Sequence, residues 1–225
     1  MTDRASTIVA GETLVLLSER AAYWPRGRML LVADPHFGKA AAFRSAAVPV
    51  PRGTTHDALG RLDSMIEQLE PARVVFLGDF LHARESRAPA TLDAIARWRG
   101  QYASIDMILV RGNHDRRAGD PPRELAIECV DAPMHEAPFA LTHHPRAIDG
   151  AYVLAGHIHP GARLAGSGGD RARLPCFWFG TSLGVLPAFG DFTGLADVDP
   201  APSDQVWVIA GDQVMRVGAG VAGRS

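Results

Sequence analysis

The chain has 225 residues, 47% of them hydrophobic and 21% charged, with a formal net charge of −2 at pH 7. Such a length and apolar content suit one domain (residues 1–225) with a substantial core, and they exclude a long disordered chain. The charge excludes a globally basic nucleic-acid binder, so any grip on a polyanion has to come from a local patch.

The stretch GETLVLLS (11–18) predicts an early strand, and RMLLVADPHFG (28–38) predicts a strand that runs into a loop at Asp34. In the segment 55–71, Leu59, Leu62, Ile66 and Leu69 form a helical stripe that stops before Pro71. ARVVFLGDF (72–80) is a continuous apolar strand ending at Gly78-Asp79; residues 90–102 predict a second amphipathic helix, and IDMILVRGNHD (105–115) a third strand-to-loop unit. Strand, helix, strand, helix, strand implies a parallel core buried on both faces. Beyond it, 139–145, 151–160, 175–182 and 204–218 read as strands joined by turns, the last a hairpin about Ala210-Gly211-Asp212. RLAGSGGDRARLP (163–175) reads as a glycine-rich surface loop. The expected fold is α/β, with two sheets packed together and helices outside. No apolar run is long enough to span a bilayer, and the start MTDRASTIVAGE lacks a secretory h-region, so a soluble cytoplasmic protein without a membrane partner is expected.

Five predicted strands end in side chains able to bind metal. These are Asp34 and His36, Asp79, Asn113, His143, and the pair His157 and His159. In an extended backbone residues i and i+2 point the same way, so the last two rings are expected to meet beyond a strand end. Strand C-termini of an open α/β sheet converge on the ligand crevice. Seven ligands exceed a closed tetrahedral site and suit two ions. Carboxylate, amide and imidazole together suit borderline divalent cations such as Mn²⁺, Fe or Zn²⁺; Mn²⁺ is expected first, and Mg²⁺ stays an alternative. Cys129 and Cys176 have no ligand spacing and argue against a thiolate site. Asp79, on the middle strand, is placed to bridge two cations.

The ordered set D-x-H, GD, GNHD, H and GHxH resembles the calcineurin-like metallophosphoesterase superfamily over Asp34 to His159. The segments DPHFGKAAAFRSAAVPVPRGTTHDALGRLDSMI, LPCFWFG and LPAFGDFTG are further similar to bacterial ligase-associated DNA-damage-response endonucleases. The resemblance implies a four-layer αββα sandwich. It implies that Asp34, His36 and His159 hold one ion and Asn113, His143 and His157 the other, with Asp79 between them and His144 outside the set. It also implies DNA as substrate, and a ligase, a helicase and an exonuclease as functional neighbours.

Two cations neutralise a phosphodiester and give hydroxide near neutral pH, so in-line attack by a hydroxide bridging them is expected. His114, beside Asn113, is the candidate proton donor to the leaving oxygen. Asp115 either orients the His114 ring or pairs with Arg116 or Arg117. Lys39, the only lysine in the chain, is placed to meet a substrate phosphate. Arg44, Arg84 and Arg116 are candidate substrate contacts, among a set that also includes Arg52, Arg87, Arg117, Arg146 and Arg163, of which two or three are expected to matter. His56, His82 and His135 read as bystanders, although His82 follows Asp79 closely. Two substrate classes stay open, nucleic acid and a small nucleotide, cyclic nucleotide or phosphomonoester. A non-catalytic scaffold is disfavoured by the complete ligand list. The oligomeric state is open.

Overall fold

The computed structural model describes residues 4–45, 47, 50, 53–165 and 171–218. A seven-stranded sheet is laid down in chain order: β1 (Arg4–Val9), β2 (Glu12–Leu17), β3 (Ala21–Trp24), β4 (Met29–Ala33), β5 (Arg73–Leu77), β6 (Asp106–Val110) and β7 (Glu128–Val130). The first four run antiparallel and β4 to β7 are parallel. A second mixed sheet contains β8 (Met134–Glu136), β9 (Phe139–Leu141), β10 (Tyr152–Ala155), β11 (Pro160–Ala165), β12 (Arg171–Phe179), β13 (Leu183–Val185), β14 (Ala196–Asp197), β15 (Gln205–Ala210) and β16 (Gln213–Val217).

The helices α1 (Lys39–Ser45), α2 (Thr54–Leu69), α3 (Pro89–Gln101) and α4 (Asp115–Ala118) all lie in connections of the first sheet. Helix α2 buries Leu59, Leu62 and Ile66 of the predicted stripe and ends where left-handed Glu70 returns its N–H to the Ile66 carbonyl. Helix α3 opens on Pro89, whose missing N–H is no loss in a first turn.

Alternation along the parallel strands divides the core in two. Leu30, Val32, Val74, Phe76, Met107 and Leu109 pack with α2 and α3. Their neighbours Leu31, Ala33, Val75, Leu77, Ile108 and Val110 pack against Phe139, Leu141, Leu154, Phe177 and Phe179 of the second sheet. A strand covered on both faces reads as an unbroken apolar run, which is why β4, β5 and β6 are legible in the sequence. The predicted hairpin is β15–β16, with Ala210 opposite Gln213 and Gly211 at φ 61°. The glycine-rich stretch departs from expectation. Its two ends are strand, Ala165 pairing with Arg171, and its centre (166–170) lies outside the described residues.

Register then sets the strand ends in a row. Ala33 pairs with Leu77 and Leu77 with Val110, so the chain leaves β4, β5 and β6 at one level. In the second sheet Leu141 pairs with Leu154, which brings the end of β9 beside that of β10. A bridge from Ala33 to Ala188 joins the two groups of strand ends.

Candidate metal centre

Past the strand ends, main-chain bonds continue the pairing. The His36 N–H donates to the Asp79 carbonyl at 3.0 Å and the Phe37 N–H to the Phe80 carbonyl at 2.8 Å. The Gly156 N–H donates to the His143 carbonyl at 3.1 Å. Within this frame Asp34, His36, Asp79, His157 and His159 all hold left-handed backbone, with φ between 46° and 74°. That conformation is uncommon for residues with a Cβ and is held only where surrounding structure imposes it. It turns the side chains off the strand axis into the crevice between the sheets. His157 and His159 are therefore not an extended pair. Strand β10 stops at Ala155, and the Ile158 N–H folds back onto the Gly156 carbonyl at 3.0 Å. The tight turn sends His157 to His143 and His159 to His36.

The seven expected ligands all gather here. His159 Nε2 lies 3.4 Å from His36 Nε2 and 3.8 Å from Asp34 Oδ2. His143 Nε2 lies 2.9 Å from Asn113 Oδ1 and 3.1 Å from His157 Nδ1. Between these groups stands Asp79, with Oδ2 3.9 Å from His36 and Oδ1 3.4 Å from His143. The His143 Nδ1 is oriented by the Leu77 carbonyl at 3.0 Å. Asp34 receives the His157 N–H at 2.8 Å on Oδ2, while its Oδ1 is buried without a hydrogen-bond partner.

Asp34, His36, Asp79 and His143 are all buried, and a carboxylate there needs a countercharge. Burial, then the charge of Asp79, pushes the Asp34 carboxyl well above its usual range. Burial holds His36, His157 and His159 below their ordinary value and brings His143 down to about 4. Neutral imidazole is the form that binds metal. An orphaned carboxylate oxygen, two buried acids and neutral rings aimed at one another fit divalent cations; Asp34, His36 and His159 form one such group, and Asp34, Asp79 and His143 an overlapping one. Glycine makes the room. A Cβ on Gly156 would sit 2.5 Å from Asp34 Oδ2.

Around the centre the expectations divide. His114 is at the site, its Nε2 3.9 Å from Asp79 Oδ2. Its Nδ1 lies 2.5 Å from the His82 carbonyl, which can only accept, so the ring proton sits on Nδ1. Asp115 has a different task from either expected. Its carboxylate takes the N–H groups of Asp79 (2.7 Å), Gly112 (2.8 Å) and Phe80 (2.9 Å). The bare donors at two strand ends claim it, and it pins the loop of Asp79 to that of Asn113. His82, expected as a bystander, stands beside the site. It stacks on His114 at 5.1 Å and meets His36 edge-on at 5.2 Å, and these three can form a ligand group of their own. Its three-residue spacing from Asp79 was the available signal. His144, exposed, packs on His157 at 4.1 Å.

Lys39 opens α1, half-buried, where the charges of Asp34 and Asp79 act on it; burial holds its ammonium below its ordinary value. Arg116 lines a pocket of about 500 Å³ that opens beside Asn113 and His143. Arg44 ends α1, exposed. Arg84 donates to the Arg117 carbonyl at 3.1 Å, Arg87 to that of Asp120 at 2.8 Å, and Arg163 pairs with Asp197 at 2.6 Å. Arg52 lies outside the described residues.

A family model described as calcineurin-like phosphoesterase matches residues 27–137. Among solved structures, the Pseudomonas putida nuclease MPE is 41% identical over 96% of this chain and 100% of its own, with a TM-score of 0.84. A phosphoesterase from E. coli, YfcE, is 14% identical over 85% of this chain and 98% of its own, with a TM-score of 0.42, too remote a likeness to inform the site. No curated protein matches at a significant level.

Proposed function

The chain belongs to the calcineurin-like phosphoesterase family, hydrolases of phosphoester bonds, and from that premise we propose that it is a metal-dependent phosphodiesterase that cuts nucleic acid by in-line displacement at a two-cation centre. The observation that carries this reading is the convergence of seven ligand side chains from five strand ends, divided into two groups about Asp79. Asp34, His36 and His159 would hold one cation and Asn113, His143 and His157 the other, with Asp79 shared. When bound, the cations supply positive charge against the anionic diester and make hydroxide available near neutral pH.

The remaining residues act on the substrate directly. The Lys39 ammonium, half-buried at the start of α1, attracts a phosphate oxygen. In its doubly protonated form His114 keeps the Nδ1 proton on the His82 carbonyl and passes the second proton, on Nε2, to the leaving oxygen as the P–O bond breaks, ending as the neutral ring. Burial of Asp34, Asp79 and His143 removes bulk water from one wall of the site and strengthens each charge there. Likeness to a nuclease over nearly the whole chain favours nucleic acid over a small nucleotide. A place in DNA repair beside a ligase, a helicase and an exonuclease rests on the sequence resemblance, and preference for Mn²⁺ on the mixture of carboxylate, amide and imidazole ligands.

Bis(p-nitrophenyl) phosphate tests the chemistry. Metal-stripped protein is expected to be inactive, and Mn²⁺ is expected to restore turnover that Asp79→Ala abolishes. Absence of turnover with Mn²⁺, Fe²⁺, Zn²⁺ and Mg²⁺ alike would leave the non-catalytic scaffold as the better reading.

A further inference from the structure

We propose that the pocket beside Asn113 and His143 is a subsite for the nucleotide that flanks the scissile phosphate. This inference rests on the phosphodiesterase reading and adds to it the part of the substrate that is recognised. Three segments build the pocket: the loop after β6, the residues between β7 and β8, and the loop after β9. Its volume of about 500 Å³ falls in the range of small-molecule sites and is ample for one nucleotide.

Chemistry selects the occupant. Ala132, Pro133, Ala147 and Ile148 give the pocket an apolar side suited to the face of a base, and Arg116 and Arg146 give it a cationic side. Among the described residues neither of these two guanidiniums has a hydrogen-bond or ion-pair partner. The third arginine of the lining, Arg111, is already neutralised. It reaches Asp120 through two bonds of 2.8 and 2.7 Å and Asp131 at 3.4 Å. Two free cations beside an apolar surface match a base and a phosphate carried on one unit. Asn113 and His143 line both the pocket and the candidate metal centre, so a nucleotide seated in the pocket leaves its linking phosphodiester at the ligands. Arg116 and Arg146 are exposed beside Asn113 and His143, whereas Lys39 opens α1 and its charge acts on His36 and His159.

Arg146→Glu and Ala147→Trp both alter this pocket at exposed positions, one by charge and one by filling. Melting temperatures are measured first to establish that both variants fold. With Mn²⁺, the ratio of kcat/KM for a short oligothymidylate to that for bis(p-nitrophenyl) phosphate is expected to fall about tenfold or more in each variant, the scale of a lost bond to a charged group. Titration calorimetry reads the subsite without turnover: thymidine 5′-monophosphate is expected to bind the wild-type protein and to bind both variants at least about tenfold more weakly. Wild-type ratios and wild-type binding in both variants overturn the subsite and leave the phosphodiesterase reading intact. Pocket-dependent nucleotide binding with no turnover of either substrate by the wild-type protein sinks the phosphodiesterase reading and leaves the nucleotide site standing.

Discussion

His114 touches the site through one nitrogen and the scaffold through the other. The His82 carbonyl fixes the tautomer, and the His82 ring, stacked at 5.1 Å, limits rotation. A proton donor matters most when the leaving oxygen is basic. His114→Ala is therefore expected to slow cleavage of an alkyl phosphodiester by about 10²–10⁴-fold, with a much smaller loss on p-nitrophenyl esters, whose leaving group departs unprotonated. Equal losses on both, read from kcat, would remove His114 from the acid role. Gly156 acts by absence. Gly156→Ala puts a methyl group 2.5 Å from Asp34 Oδ2, and overpacking of this kind costs about 1–3 kcal/mol. Its denaturation midpoint is expected to fall, and added Mn²⁺ is expected to restore less stability than in the wild type. At this scale the sequence showed which residues gather but misread their backbone. H-x-H suggested an extended pair, whereas both histidines are left-handed, because no local pattern announces a turn imposed by contacts with Asp34 and His143.

Asp115 works between elements. It holds three N–H groups from the ends of β5 and β6, and buried donors of this kind need a partner. Asp115→Ala is expected to lose on the order of 3 kcal/mol, the scale of stranding buried donors of this kind, read by urea denaturation. Metal-dependent activity should weaken with it, since the loops of Asp79 and Asn113 come apart together. The segment after β13 is held in a similar way. Arg61 donates to the Phe189 carbonyl at 2.7 Å and pairs with Asp191 at 3.1 Å, and Phe189 and Gly190 donate to the carbonyls of Ala33 and Asp34. The buried elements β4, β5, β6, α2 and α3 were legible because burial imposes long apolar runs or a clear helical stripe. Strands β1, β3, β7, β8, β11, β13 and β14 were not, being two to six residues long or half exposed, with pairing that supplies what their composition lacks.

Across the whole molecule, cations that bind only the folded chain must stabilise it. At a hundred times Kd each site adds about 2.7 kcal/mol, so saturating Mn²⁺ is expected to raise the melting temperature by several degrees for a chain of this size. Asp79→Ala should abolish that rise; an unchanged rise would mean the cation binds elsewhere. The net charge of −2 bears on affinity for nucleic acid. If Lys39, Arg116 and Arg146 supply the phosphate contacts, log K for single-stranded DNA should fall against log salt with a slope of about −2. A much steeper slope would point to a larger basic surface than these residues make.

The inventory was legible in the amino-acid order alone: the apolar strands, the ligand types at their ends, their succession, and the family that succession resembles. This is so because residue chemistry and periodicity are local properties of a chain. Folding in three dimensions settled which ring faces which, that the Asp115 carboxylate ties two loops together, that His82 stands beside the site, and that Arg116 and Arg146 share a pocket. Those facts depend on register between strands and on contacts across more than a hundred residues. No single segment encodes them, because each is settled by the competition of every buried donor and charge for a partner.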